Sequence, residues 1–196
     1  MGEHMQVEPS VTTHLERFCG PIERGWPIDP DGNKLPFQLV QMQRGPIDGT
    51  ITYSTLGLSK IELRSRSSRK SIRQELVMLS RSNATPDNLP PLLQQVAVEA
   101  VQSDYAYLRG DVIGPRGRLF QDSSVTALYV TSPAYFPKEF ASVEDDGGTV
   151  IFAWLVPITD QESRLIAEIG WNEFEAKLER QDPDLLDFRR ATLLPD

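Results

Sequence analysis

Seven consecutive apolar residues, Val150-Ile151-Phe152-Ala153-Trp154-Leu155-Val156, constrain this chain more than any other stretch. The run lies between the turn-forming Asp145-Asp146-Gly147-Gly148 and Pro157. An apolar run that short, rich in β-branched and aromatic residues, reads as a strand covered on both faces. Pro157 brings no N–H and is expected to end the ladder. Thr159 sits three residues before Glu162, the spacing of a capping box, in which each side chain bonds the other's amide. A buried central strand therefore hands over to a capped helix, and the remaining elements are expected to pack around that unit.

Residues 1–10 carry no periodic pattern and are expected to be a disordered lead-in, with a single domain over 11–196. Val11–Gly20 reads as a short helix capped by Thr12 or Thr13 and stopped by Gly20-Pro21. Glu23–Pro36 holds Gly25, Pro27, Pro30, Gly32 and Pro36, which predicts loop. Strands are predicted over Pro36–Gln43, Thr50–Leu58, Ile72–Ser80 and Val125–Thr131, the last with Val125, Ala127 and Tyr129 on one face. The second and third of these form a hairpin-like unit around a charged loop. The longest helix is predicted over Pro91–Tyr107, with Leu92, Leu93, Val96, Ala97, Ala100 and Val101 as its core stripe. Trp171–Gln181 predicts another amphipathic helix, with Trp171, Phe174 and Leu178 inward. Asp182-Pro183 reads as the start of a final short turn, an N-cap followed by proline. This order gives an α+β (mixed α/β) domain with a largely antiparallel central sheet flanked by helices.

Composition narrows the function classes. No apolar run approaches the roughly 20 residues that span a bilayer, and no secretory signal is visible at the N-terminus. The single cysteine, Cys19, cannot form an internal disulfide, which fits a reducing cytoplasm. A net charge of -8 argues against a nucleic-acid binder and suits encounter with a basic partner.

Catalytic signatures are weak. His4, His14 and Cys19 have no metal-ligand spacing, and His14 and Cys19 lie five residues apart on one short helix, which turns them away from each other. Gly110–Arg118 is glycine-rich but matches neither the P-loop nor the dinucleotide fingerprint, so a plain turn is the better reading. Asp145-Asp146 could be read as a catalytic pair, but adjacent acids before Gly147-Gly148 are usual in an exposed turn; Trp154 and Trp171 could stack on a ligand, but at apolar positions they read as core. The feature that stands apart is a basic stretch in an acidic chain: Lys60, Arg64, Arg66, Arg69, Lys70 and Arg73 against Glu62. It is either a solvated loop or an electropositive face for an acidic partner surface, and these six residues are the candidate partner-binding set. Neither an enzyme nor a cofactor is called for.

Several segments together resemble the Suppressor of Fused domain family: TITYSTLGLS (Thr50–Ser59), QELVMLSR (Gln74–Arg81), LPPLLQQVAVEAVQSD (Leu89–Asp104), TALYVT (Thr126–Thr131), VIFAWLVPITDQE (Val150–Glu162) and DFRRA (Asp187–Ala191). The Gly-Leu-Ser after a strand, the Pro-Ile-Thr-x-x-Glu junction and the late Asp-x-Arg-Arg carry most of the likeness. The resemblance implies a mixed α/β domain without established catalysis that works by binding another protein. Animal members sequester Gli-type transcription factors and carry an additional C-terminal domain. Ending soon after Arg190, this chain is expected to be the stand-alone bacterial form. Such members are associated with polymorphic toxin systems as immunity proteins that bind and neutralise a toxin. The alternatives are a regulatory domain that sequesters an endogenous protein and, less favoured, an unrecognised enzyme using the Gly110–Arg118 loop and nearby carboxylates. Animal members use acidic residues after the Gly-Leu-Ser; here that segment is basic, so those binding residues are not carried over.

Overall fold

A computed structural model describes residues 10–29 and 31–193. Of the expected lead-in over residues 1–10, residues 1–9 lie outside the described residues, and Ser10 belongs to the start of the first helix. In chain order the elements are helix α1 (Val11–Cys19), strands β1 (Ile22–Ile28), β2 (Lys34–Met42) and β3 (Thr50–Leu56), short strand β4 (Leu63–Arg64), β5 (Ser71–Arg81), helix α2 (Leu89–Ser103), β6 (Val112–Ile113), β7 (Val125–Thr131), β8 (Ser142–Asp145), β9 (Gly148–Thr159), and helices α3 (Asp160–Ile169) and α4 (Trp171–Gln181). Single 3₁₀ turns at Leu58–Lys60 and Lys138–Ala141 precede β4 and β8.

The sheet runs β1-β2-β3-β5-β9-β7-β6, with β4 added to β5 and β8 to β9. Every pairing is antiparallel except β5 with β9, where Leu76 faces Ala153 and Val77 faces Trp154. The fold is α+β, as the element order predicted.

The two-residue period of the strands sorts the core onto two faces. Leu76 and Met78 of β5 and Ala153 and Leu155 of β9 pack with the α2 stripe. Val77 and Leu79, with Phe152, Trp154 and Val156, pack on the other face with Leu15 of α1, Ile166 of α3 and Phe174 of α4. The central run is thus buried on both sides, with one helix above it and three below.

Several details differ from the sequence reading, each for a physical reason. Ser10, not Thr12 or Thr13, caps α1: its hydroxyl accepts from the Thr13 amide, and the Thr13 hydroxyl accepts from the Ser10 amide. Glu23–Pro36 is not all loop. Pairing with β2 overrides the local preference of Gly25 and Pro27, which lie on the sheet's edge strand β1, with irregular register between Trp26 and Ile28. Pro157 does not end β9, which pairs with β7 as far as Thr159. Pairing with β5 has already stopped at Trp154, so a residue without an N–H removes no bond on that side. Val125 packs with the α2 face while Ala127 and Tyr129 pack on the other, because a register irregularity between Val125 and Ala127 breaks the alternation. Helix α2 stops at Ser103, with Asp104 in the left-handed conformation at φ 61°, so Tyr105–Tyr107 are not helical. Asp182 closes α4 in the same conformation instead of opening a new element.

The predicted capping box is present. The Glu162 amide donates to Thr159 Oγ1 at 3.2 Å, and the Thr159 amide donates to Glu162 Oε2 at 2.9 Å. No helix among the described residues is long and apolar enough to cross a membrane.

Candidate protein-interaction surface

Strand β5 has eleven residues and is about 33 Å long at ~3.3 Å per residue. Its two ends carry the two surface features of interest.

The end near Ser71 is organised from inside by Glu75, whose carboxylate is buried. Oε1 accepts from the Gly57 amide (2.9 Å), the Ser59 amide (3.1 Å) and the Ser59 hydroxyl (2.7 Å), and Oε2 accepts from the Thr55 hydroxyl (2.5 Å). Thr55 Oγ1 in turn accepts the Leu76 amide at 2.9 Å. The Gly-Leu-Ser turn is therefore wrapped around a carboxylate 16 to 18 residues further on. Gly57 allows it by taking φ 99°, where a side chain would be strained.

The next link is Arg73. Its Nε donates to the Ser59 carbonyl at 2.9 Å, Nη1 to Asp145 Oδ1 (2.5 Å) and the Gly148 carbonyl (3.0 Å), and Nη2 to Asp145 Oδ2 at 3.1 Å. A Cβ on Gly147 would fall 2.6 Å from the Arg73 guanidinium carbon, so glycine there lets the arginine reach the β8–β9 turn. The Arg73 guanidinium holds the Asp145 carboxyl below the usual carboxylate range.

Burial pushes the Glu75 carboxyl upward, against the pull of its four donors. An acid raised in the folded state takes up a proton more readily there than in the unfolded chain. Its contribution is complete below the unfolded value and is lost as pH rises through the folded one. Glu75→Gln keeps the shape without the titration. As pH rises above about 4, the ordinary glutamate value, the stability of the native protein should fall relative to that of Glu75→Gln, read as urea midpoints at each pH. A constant gap would remove this role.

The six basic residues separate into two groups. Arg73 is inward, its side chain 16% exposed and committed to Asp145. Lys60, Arg64, Arg66, Arg69 and Lys70 are exposed around the loop after the Gly-Leu-Ser turn. That loop is hydrogen-bonded within itself: Ser65 Oγ accepts the Ser67 and Ser68 amides, both at 3.2 Å, and the Ser65 amide donates to the Lys70 carbonyl at 3.1 Å. Residues 60–73 carry six cations against Glu62, a local +5 within a total of -8, so the rest of the chain carries -13. Tyr105, which the sequence had placed inside a helix, lies under Arg64 and Arg66.

The opposite end of β5 borders an open groove of about 910 Å³ floored by stacked Phe120 and Phe188, with ring centroids 4.7 Å apart. Its rim includes Asp87, Asp122, Asp184 and Asp187 with Arg81 and Arg189, and Arg81 pairs with Asp184.

The other chemical candidates are absorbed into the fold. His14 is buried against Phe140 and Phe152; burial lowers its pKa, and its Nε2–H donates to the Phe140 carbonyl at 3.1 Å. Burial pushes the Cys19 thiol up to about 11, which makes it a poor nucleophile. In the glycine-rich loop, Arg116 pairs with Glu99, and Asp111 Oδ2 accepts the Leu108 amide at 2.8 Å. Trp154 is core, and Trp171 lies under Arg109 at 5.0 Å. Among the described residues no group of His, Cys, Asp and Glu is placed to hold a metal ion.

Two further motif residues, Glu162 and Arg190, also meet across 28 residues of sequence. Glu162 accepts from Arg190 Nη1 at 2.5 Å and Nη2 at 2.8 Å, and from the Leu193 amide at 3.1 Å, which ties the last described segment onto the start of α3.

Compared with known protein families, residues 33–191 match the model of the Suppressor of fused protein (SUFU). The chain belongs to the Suppressor of Fused family. Solved structures agree on the fold. A SUFU homolog from Neisseria gonorrhoeae superposes with a TM-score of 0.70 at 24% identity, covering 94% of both chains. The Sufu chain of the Sufu–Fu complex gives 0.64 at 17% identity, over 93% of this chain and 88% of that one. Drosophila Suppressor of Fused gives 0.58 at 18% identity, over 81% of this chain and 43% of that one. No curated protein matches. Two of the motifs quoted for the resemblance meet distant partners in the fold: the Gly-Leu-Ser turn on Glu75, and the Pro-Ile-Thr-x-x-Glu junction on Arg190.

Proposed function

We propose that this Suppressor of Fused domain is a non-catalytic, cytoplasmic protein-binding module, and that it neutralises a toxin by covering part of its surface. The observation that carries the binding reading is the end of β5 near Ser71, where Lys60, Arg64, Arg66, Arg69 and Lys70 stand exposed on an otherwise acidic chain. Inhibition by occlusion needs a complementary interface with a few strong anchors and no reactive group. A fold of this kind is found in complex with a protein in the Sufu–Fu structure, which supports a protein as partner. The toxin as partner follows from the resemblance to bacterial members.

The test is a pull-down with a polymorphic-toxin C-terminal domain from the same genome, together with rescue of growth on co-expression. Retention of the toxin domain at micromolar concentration and restored growth are expected. Absence of binding at that concentration would end the toxin reading. Co-purification of an endogenous protein, identified by mass spectrometry, would favour a regulatory domain instead.

A further inference from the structure

Two arginines at the end of β4 converge on one tyrosine. The guanidinium carbons of Arg64 and Arg66 lie 4.8 and 4.7 Å from the Tyr105 ring centroid. The ring is held in place by its own backbone: the Arg64 amide donates to the Asp104 carbonyl at 3.0 Å, and the Ala106 amide donates to the Arg64 carbonyl at 3.0 Å, a parallel bridge between Arg64 and Tyr105. Stacking on an aromatic face restricts a guanidinium and leaves its edge, with the N–H donors, free to point outward. Arginines restricted in this way lose less freedom on binding an anion than free surface side chains do.

One carboxylate already sits in the fork. Asp104 Oδ2 lies 2.7 Å from Arg64 Nε, with the two side chains 51% and 61% exposed. The contact uses the Nε side of Arg64, and Arg66 makes no ion pair among the described residues. The backbone at Asp104 is left-handed, a conformation set by the end of α2. Asp104 is thus an exposed internal carboxylate resting against a cationic pair with donors to spare.

We propose that the Arg64–Tyr105–Arg66 stack is a receptor for carboxylates on an acidic segment of the partner protein, and that Asp104 is a built-in competitor which the segment must displace. This rests on the reading of the basic end as the docking face and adds the chemistry that end selects. Lys60, Arg69 and Lys70 would attract the acidic segment, while the fork would fix it through planar, paired hydrogen bonds. A long polyanion such as a nucleic acid would have to track over surface beyond the basic loop, where the rest of the chain carries -13, whereas a short acidic segment need meet only the loop.

A peptide of alternating Glu and Ser serves as probe, titrated into the ¹⁵N-labelled protein and followed by NMR at low and at moderate salt. Shifts centred on Arg64, Tyr105 and Arg66 are expected, with affinity falling as salt rises. Arg64→Gln/Arg66→Gln should weaken the peptide at least about tenfold, and Tyr105→Leu should weaken it several-fold with the charges intact. Asp104→Asn is the decisive variant. Asn accepts the left-handed backbone, so the fold stays, and loss of the competing charge should tighten binding by roughly three- to tenfold. Unchanged or weaker binding by Asp104→Asn, or full binding by the double arginine variant, would overturn the proposal. So would equal binding of single-stranded DNA. If the peptide behaves as described while the toxin domain fails to bind, the toxin reading falls alone. If the toxin domain binds the double arginine variant as well as the native protein, only the receptor falls.

Discussion

Replacing Arg190 with alanine is expected to lower the stability of the domain by about 3–5 kcal/mol. Arg190 is 5% exposed and its partner Glu162 0%, so water screens neither charge. The guanidinium spans both carboxylate oxygens, and its Nη1 also donates to the Ala191 carbonyl at 3.1 Å. Truncation leaves the Glu162 carboxylate buried with only the Thr159 and Leu193 amides for company. The penalty is that of an unpaired interior charge, far above the modest net worth of an intact pair. The effect should also be directional. The segment that Arg190 anchors carries Phe188, so the Phe120–Phe188 floor of the acidic groove should loosen first. Urea denaturation checks the magnitude, and hydrogen exchange over residues 184–193 checks the location. A loss below about 1 kcal/mol would mean the closing segment is held by its apolar contacts instead.

Trp154→Ala should cost about 3–5 kcal/mol as well, through lost burial and the cavity left behind. Trp154 is 2% exposed, stands opposite Val77 of β5 and Thr131 of β7, and its ring packs on Tyr135 at 4.9 Å. It lies in the core face shared with Leu15, Ile166 and Phe174, so truncation leaves a cavity between the sheet and the helices on that side. For a domain of this size each kcal/mol is worth roughly 2–4 °C, so the melting temperature should fall on the order of 10 °C. A fall of one or two degrees would place the indole in a compliant environment.

The sequence was most legible where local and tertiary preferences agree. The apolar run with its Thr159–Glu162 box, and the α4 helix over Trp171–Gln181, were both readable because period, cap and burial all point the same way. Where pairing overrides local preference, the reading failed. Gly25 and Pro27 conceal strand β1, and Pro157 reads as a stop because a sequence does not show which side of a strand has already lost its neighbour. The candidate surface was half legible. Charge located the basic stretch, but nothing in the local pattern distinguished Arg73, which turns inward to Asp145, from Arg64 and Arg66, which face outward over Tyr105. Both buried carboxylates escaped as pairs for the same reason: their partners lie 16 to 28 residues away, joined only by the fold.

The opposed ends of β5 have a consequence for the approach to a partner. Five exposed cations gather at one tip, and at the other the groove rim sets four aspartates against Arg81 and Arg189, so charge is unevenly divided along that strand. In dilute buffer an oppositely charged protein would rotate the molecule before the two surfaces touch, so that a larger share of collisions begins with the correct tip in front.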